Sequence, residues 1–357
     1  GYAFLSAYMD AIGDLCCGIR NYRHHTNPLT DAPSVRILRF ADIELHDMAK
    51  WCDGCLTAFT RNSTGDGETD AIWERRAFLA ATGGADGTGP TSDTLPERHY
   101  SKSPYQYDPV PKRDERFTDP WNQGVNAEAF LYDEAKPARA KALMVLYKRL
   151  REIDVPEMMA SIITQTPGKP WGYYRDMSRQ LWDEARHAMM GEVGFTTLGV
   201  DWTQARVTFN WSYRLNTECT PMERHGVLYF IEQGLMPRTG KRYEFEVAQE
   251  SGLPLMATIQ DFDWADEVLH SQIGRQWYVP EFGSLREALD YGDKAWSAVL
   301  SNWATVKAQG LTDHANWWPT IYSQACAAEG VAPDPDVLAF ATTYEGTRAD
   351  LQRVAGE

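Results

Sequence analysis

The chain has 357 residues with a formal net charge of −15, and 43% of its residues are hydrophobic. This length and composition allow one large domain or two domains of ordinary size. The negative charge argues against a nucleic acid or an anionic membrane surface as partner. No apolar run approaches the roughly 20 residues of a membrane-spanning helix. We therefore expect a globular protein with neither nucleic-acid nor membrane partners.

The six cysteines indicate a reduced, intracellular protein, because a chain of this size carries no dense disulfide framework. Cys52 and Cys55 form a C-x-x-C pair, and Cys16 and Cys17 are adjacent. A zinc or redox site is one interpretation of these four thiols. We favour burial as small apolar side chains, because the second C-x-x-C pair of a structural zinc site is missing. The expected location is the cytoplasm.

Helical periodicity dominates the N-terminal residues 1–81. Asp31 and Pro33 mark the start of a helix within this segment. In residues 82–125, glycines and prolines exclude regular structure of any length. The aromatic residues interleaved with them predict a loop that packs onto the rest of the protein. Loops this long are either functional lids and wraps or disordered, and the sequence leaves that choice open.

Helices are predicted again after this loop. Residues 137–165 form one long helix, and the turn 166–170 leads into a second helix from Trp171 to about Gly194. The β-branched and aromatic residues within 199–218 predict a short extended piece.

Start and stop signals define the remaining helices. Capping boxes begin helices at Thr220 and Ser284, predicted to reach about residues 236 and 309. Between them, a helical stretch to about residue 276 is broken at Gly252-Leu253-Pro254. A last helix is predicted for 337–352.

The expected fold class is therefore all-α. We treat the chain as a single helical domain with four parts: N-terminal helices (1–81), the long aromatic loop (82–125), a central helical part (126–280) and C-terminal helices (281–357).

The pattern D-E-x-x-H-x-x-x-G occurs twice, from Asp183 to Gly191 and from Asp266 to Gly274. Glu and His three positions apart share a helix face, so both can reach one metal ion. Two such helices and two further inward glutamates form a dimetal carboxylate site. For either copy alone, an exposed Glu beside a surface His is the alternative. The zinc-protease pattern H-E-x-x-H is excluded, because Asp183 and Asp266 stand where it needs His.

Helix rise points to the first of the two further glutamates. With the turn centred near Gly168, Glu152 lies as far before the turn as Glu184 lies after it. Glu157 is the rival, since it shares the apolar seam of the helix, and Pro156 between the two blurs the helix phase. With Asp154, Glu157 could instead cap a restarted helix. We favour Glu152.

The second further glutamate is Glu232. It lies on an apolar helix face with Leu228 and Leu235, where a carboxylate needs a partner. Glu223 is the alternative, but the capping box of Thr220 already uses it.

Together, these positions resemble the ferritin-like family of dimetal carboxylate proteins over about residues 137–276. The sequence D-E-A-R-H is in particular similar to the motif of bacterial multicomponent monooxygenase hydroxylase subunits. The resemblance implies a ferritin-like four-helix bundle core with additional N- and C-terminal helices. It also implies that Asp183 bonds to the second histidine and Asp266 to the first. The implied metal ligands and catalytic residues are Glu152, Glu184, His187, Glu232, Glu267 and His270.

The cofactor that the resemblance implies is a pair of iron ions, with manganese and iron as an alternative, and dioxygen is the implied cosubstrate. We therefore expect an oxidase or oxygenase that acts on a small organic substrate by hydroxylation, N-oxygenation, desaturation or oxidative cleavage. A reductase partner and a homodimeric state stay open. The alternatives are a ferroxidase, a ligand-binding or radical-generating oxidase with Tyr229 as the redox tyrosine, and a non-catalytic helical scaffold.

Small residues beside the motif carry two interpretations. Ala188, Gly191 and Gly274 either leave room for dioxygen or substrate, or allow helices to pack closely. Arg186 is interpreted as one partner of a surface ion pair.

Overall fold

The computed structural model of the chain describes residues 2–60, 69–96, 106–300 and 303–344. Over these ranges the chain forms helices and no β-strand, with one isolated bridge between Thr82 and Thr91. The all-α prediction is confirmed for this part of the chain. Among the described helices, none is both long and apolar enough to cross a membrane. The chain divides into two compact units, Gly1–Tyr105 and Gln106–Glu357.

The N-terminal unit contains the helices α1 (Tyr2–His25), α2 (Ala32–Thr60) and α3 (Thr69–Ala81). α1 packs along α2 through a small apolar core that includes the thiols of Cys16 and Cys52. Cys17 is exposed, and all six cysteines are free. The favoured interpretation of small buried side chains therefore holds for Cys16 and Cys52.

The C-terminal unit contains twelve of the described helices. They are α4 (Ala127–Leu131), α5 (Ala138–Arg151), α6 (Asp154–Gln165), α7 (Trp171–Thr197), α8 (Asn210–Glu218), α9 (Pro221–Gly234), α10 (Tyr243–Glu250), α11 (Pro254–Trp277), α12 (Leu285–Leu300), α13 (Trp303–Ala308), α14 (Trp318–Glu329) and α15 (Pro335–Leu338). A π-helical turn, Arg238–Arg242, joins α9 to α10.

Long helices enclose the interior of the C-terminal unit. α7 packs against α5, α6 and α11, and α11 also packs against α9 and α10. The apolar side chains between them form two clusters, one around Leu146 and Phe195 and the other around Met177 and Val227. Polar side chains on the inner faces of these helices are consequently removed from water.

Two predicted helix boundaries are confirmed. The Thr220 hydroxyl accepts a hydrogen bond from the Glu223 backbone N–H at 3.3 Å, and the Glu223 carboxylate accepts one from the Thr220 N–H at 2.7 Å, which completes the capping box. The break at Gly252-Leu253-Pro254 separates α10 from α11, and Gly252 has the positive φ of +71° that favours glycine.

Two predicted helices are interrupted. The helix predicted for 137–165 is interrupted at Glu152, so that α5 ends at Arg151 and α6 begins at Asp154. Within 199–218, where a short extended piece is predicted, Ala205 has an extended backbone (φ −78°, ψ 117°), but residues 205–209 form an irregular link between a short 3-10 helix and α8 and not a β-strand. The Thr208 hydroxyl accepts a hydrogen bond from the Asn210 N–H at 3.0 Å, a local bond that favours a helix start over a strand.

The helix predicted for 337–352 is the second, because residues 339–343 are not helical, whereas Tyr344 is. α15 ends at Leu338, because the carbonyls of Phe340 and Thr342 accept hydrogen bonds from Asn316 and Asn126 instead of from the next helical turn. Residues 345–352 lie outside the described residues.

The part of the long loop from residue 106 to 125 packs onto its own unit. The ring of Trp121 lies 4.7 Å from that of Phe209 and 5.0 Å from that of Tyr213. The predicted packing is confirmed for this part, whereas Tyr100 and Tyr105 lie outside the described residues.

His225 makes the C-terminal unit less stable in acid. Its imidazole packs against Tyr173 and Tyr278, and burial lowers its pKa to about 4. An unfolded histidine titrates near pH 6.5, so unfolding takes up a proton below that pH. The stabilisation that is present above pH 6.5 is therefore lost as the pH falls towards 4. Between pH 7.5 and 4.5 we expect a loss of about 2–3 kcal/mol from this residue alone.

Chemical denaturation across this pH range measures the effect. His225→Phe keeps an aromatic ring but cannot titrate, so its free energy of unfolding should fall less steeply towards acid than that of the wild type. Parallel pH profiles would contradict the assignment.

Candidate metal centre

Four helices and the π-helical turn bring ionisable side chains together inside the C-terminal unit. All six ligands that the sequence predicts lie in this cluster, and every member except Glu152 is at most 3% exposed. The cluster consists of Glu152 at the end of α5, Glu184 and His187 on α7, Glu232 on α9, and Asp263, Glu267 and His270 on α11.

The cluster has two halves, which share Glu267. In each half, one donor atom from every residue lies within 4.8 Å of the others, the spacing expected around a single metal ion. The two imidazole rings lie 5.8 Å apart between their centres. We call the first group the His187 half (Glu152, His187, Asp263 and Glu267) and the second the His270 half (Glu184, Glu232, Glu267 and His270).

Each histidine directs its Nδ1 atom at the carboxylates. His187 Nδ1 lies 3.4 Å from Glu152 Oε2 and 3.5 Å from Glu184 Oε2. His270 Nδ1 lies 3.1 Å from Glu184 Oε1 and 3.6 Å from Glu267 Oε2. Glu184 thus turns one oxygen towards each histidine, although only the His270 half includes it as a donor.

Unpartnered polar atoms test whether these residues fit a metal. The Nδ1 atoms of His187 and His270 and the Oε2 atoms of Glu152 and Glu267 are buried without a hydrogen-bond partner in the described part of the chain. A buried donor or acceptor left unpaired costs about 1–3 kcal/mol. Imidazole and carboxylate donors suit iron and manganese. The donor set therefore fits two divalent ions.

Each histidine turns its Nε2 atom towards an aspartate of the other motif, and only His187 is close enough for a hydrogen bond. The Nε2 atom of His187 lies 3.2 Å from Asp266 Oδ2, and the Nε2 atom of His270 lies 3.5 Å from Asp183 Oδ2. Such contacts fix the ring orientation of metal-bound histidines and leave the other nitrogen free for the metal.

Arg186 connects the two aspartates. Its guanidinium contacts Asp183 on its own helix and donates to Asp266 Oδ2 on α11 at 2.8 Å. The interpretation of Arg186 as an ordinary surface ion pair is therefore wrong, because its side chain is half-buried and spans both motifs.

The carboxylates have unlike pKa values. Burial, together with the charge of Glu267, raises the pKa of Glu232 well above its usual value. Burial also opposes ionisation of Glu152, but Arg149 and Lys241 outweigh it and lower the pKa of Glu152 to about 2. Burial lowers the pKa of His187, yet the carboxylates of Asp266, Glu152 and Glu184 together raise it to about 10. A bound metal ion would replace the proton on His187.

Sequence reasoning missed Asp263 and Lys241. Asp263 lies four residues before Glu267 on α11, so the two share a helix face, and its Oδ1 is 3.5 Å from His187 Nδ1. The spacing of Asp263 and Glu267 is visible in the sequence. The nearby Asp261 is exposed, however, and only the rotation of α11 about its axis turns Asp263, and not Asp261, towards the cluster. Lys241 lies in the turn between α9 and α10, and helical periodicity does not predict the position of a side chain in a turn.

The small residues beside the motifs serve helix packing. A Cβ atom on Gly191 would lie 2.5 Å from the Leu150 backbone nitrogen, and one on Gly274 would lie 2.2 Å from Cδ2 of Tyr229. Ala188 is buried as well. At both glycines the structure supports close packing and not a space for dioxygen.

Glu157, the rival of Glu152, has other partners. Its carboxylate accepts hydrogen bonds from Arg113 Nε at 2.7 Å and Ser212 Oγ at 2.6 Å, and Arg113 also pairs with Asp154. The interpretation of Asp154 and Glu157 as a helix cap is wrong, since α6 has no side-chain cap.

The two glutamates should respond differently to mutation. Glu152→Gln removes a charged ligand from the His187 half, so bound metal should fall from about two ions per chain to about one. Glu157→Gln should keep the metal but lower the free energy of unfolding by about 3–5 kcal/mol, because it weakens a buried ion pair. Equilibrium dialysis with Fe(II) and chemical denaturation measure the two effects. The reverse pattern would make Glu157 the ligand.

Comparison of the chain with protein-family models, curated proteins and solved structures gave no significant match.

Proposed function

We propose that this chain is an oxygen-activating dimetal oxidase or oxygenase, with a ferritin-like four-helix bundle as its core and a small organic molecule as its substrate. The supporting observation is the pair of adjacent His–carboxylate groups that share Glu267, with both Nδ1 atoms turned inward and unpartnered. An exposed, accidental pair of E-x-x-H motifs does not account for this arrangement.

The residues that would hold the metals are those of the two halves. Bound there, a pair of iron ions, or manganese with iron, would supply two electrons to dioxygen, and the substrate or a reductase would supply the others. Four glutamates and Asp263 offer one negative charge more than two divalent ions carry as positive charge, and the Lys241 ammonium beside Asp263 would offset that difference.

The chain's own contribution is orientation, proton handling and exclusion of water. Asp266 contacts the His187 ring, Asp183 faces the His270 ring, and Arg186 connects the two aspartates. Gln180 donates a hydrogen bond to Glu232 Oε1 at 2.9 Å and fixes that carboxyl group. Burial and the charge of Glu267 raise the pKa of Glu232, so this carboxyl holds a proton more readily than an exposed glutamate does, and a bound cation would favour release of that proton. Burial of the ligands keeps bulk water from the reacting atoms.

Oxygen uptake by Fe(II)-loaded protein tests this function. Protein loaded under nitrogen is mixed with oxygenated buffer, and dissolved oxygen and protein-bound iron are followed together. An oxidase should consume oxygen and keep about two iron ions per chain when more Fe(II) is added. A ferroxidase would oxidise and store many further equivalents. Failure of the loaded protein to consume oxygen faster than free Fe(II) would contradict both functions.

A further inference from the structure

Two buried cations surround only one half of the metal centre. The Lys241 ammonium lies 2.9 Å from Asp263 Oδ1, 3.3 Å from Glu152 Oε1 and 2.7 Å from Glu267 Oε1. The Arg149 guanidinium lies 2.8 Å from Glu152 Oε1 and also contacts Asp263. Both cationic side chains are 0% exposed. The His187 half therefore holds positive charge of its own.

The described part of the chain places no such cation beside Glu184 or Glu232, the two carboxylates that belong to the His270 half alone. In the ranges that the structure describes, no lysine or arginine nitrogen lies within 4.0 Å of the carboxylates of Glu184 or Glu232. The Glu232 carboxylate accepts a hydrogen bond from the neutral amide of Gln180. The shared Glu267 turns Oε1 to Lys241 and keeps Oε2 towards His270. A metal ion that enters this half meets the carboxylates of Glu184 and Glu232 without displacing a lysine or arginine from them.

We propose that the two halves take up metal unequally: the His270 half binds the first ion, and Lys241 weakens binding of the second ion in the His187 half. This inference rests on the dimetal centre proposed above. An ammonium and a metal ion that share Glu152, Asp263 and Glu267 repel each other, and the repulsion is strong in a buried site of low dielectric. Lys241 must retract its flexible chain or share its carboxylates before the second ion binds.

A titration with Mn²⁺ under nitrogen tests the proposal, with free Mn²⁺ counted from its electron paramagnetic resonance signal. The wild type should bind in two steps whose Kd values differ by at least about tenfold. In Lys241→Met the weaker step should tighten until the two values lie within about threefold. Lys241→Arg keeps the charge and should keep the unequal steps.

Lys148→Met is the matched control. Lys148 is another buried lysine, but it pairs with Glu244 and contacts none of the seven ligands. Its replacement should leave the ratio of the two Kd values unchanged. If Lys148→Met equalises the steps as well, general loss of buried charge is the cause and the role given to Lys241 is overturned.

Two ligand variants assign the order without altering Lys241, should Lys241→Met fail to fold. Glu232→Gln should abolish the tighter step, and Glu152→Gln should abolish the weaker one. The opposite assignment overturns the proposal. Two equal steps in the wild type also overturn it but leave the dimetal centre intact, whereas absence of any bound Mn²⁺ or Fe²⁺ overturns the dimetal function itself.

Discussion

Glu267→Ala is expected to abolish metal binding in both halves of the centre. Among the residues that the structure describes, Glu267 alone belongs to both donor groups, and it is 1% exposed. Removing an outer hydrogen-bond partner of a metal ligand typically costs 10–100-fold in affinity. Loss of a charged ligand should cost more, so we expect affinity to fall by at least about a hundredfold in each half.

Elemental analysis after equilibrium dialysis against Fe(II) under nitrogen measures this loss. Asp261→Ala is the control, because Asp261 is an exposed acidic residue on the same helix, six positions earlier. It should retain as much iron as the wild type. Wild-type iron content in Glu267→Ala would show that the motif glutamates do not hold the metal.

Gly191→Ala is expected to be the most disruptive single-methyl change on α7. The new Cβ atom would lie 2.5 Å from the backbone nitrogen of Leu150 and 2.8 Å from its Cα atom. Backbone atoms of a buried helix cannot rotate away, so α5 and α7 must separate. Such overpacking costs about 1–3 kcal/mol. Because Glu152 follows Leu150 by two residues, the separation should also weaken metal binding in the His187 half.

Chemical denaturation and metal dialysis report these two consequences separately. Gly234→Ala is the matched control, since nothing lies within 4 Å of a Cβ atom there. Alanine favours a helix over glycine by up to about 1 kcal/mol, so this variant should be as stable as the wild type or more stable. Equal stability of Gly191→Ala and Gly234→Ala would contradict the close approach of α5 and α7.

Local chemistry explains which parts of the fold were predictable. The capping box at Thr220 and the Gly252-Leu253-Pro254 break act within a few residues, and both lie where the sequence predicts them. The extended piece predicted within 199–218 depends on distant partners instead. Its β-branched residues Val207 and Thr208 lie in the irregular link before α8, and the described part of the chain offers no strand for them to pair with.

The candidate site also contains some residues that the sequence predicts and others that it does not. Glu and His three apart on one helix must share a face, so each E-x-x-H pair could be read from the sequence. To predict that Asp263 joins the site, one must know the rotation of α11 about its axis. To predict that Lys241 joins it, one must know the path of the turn between α9 and α10. Both are set by packing between helices, which no short pattern encodes. These two residues are also the ones that make the halves of the centre unlike.

Metal content is the most direct test of the central claim. Protein purified under nitrogen, reconstituted with excess Fe(II) and separated from free metal should contain about two iron ions per chain by elemental analysis. His270→Ala and Glu184→Ala should lose them. A wild-type protein that holds no specific metal, or that holds one zinc ion through its cysteines, would contradict the account, and the twin motifs would then be helix residues without a metal to bind.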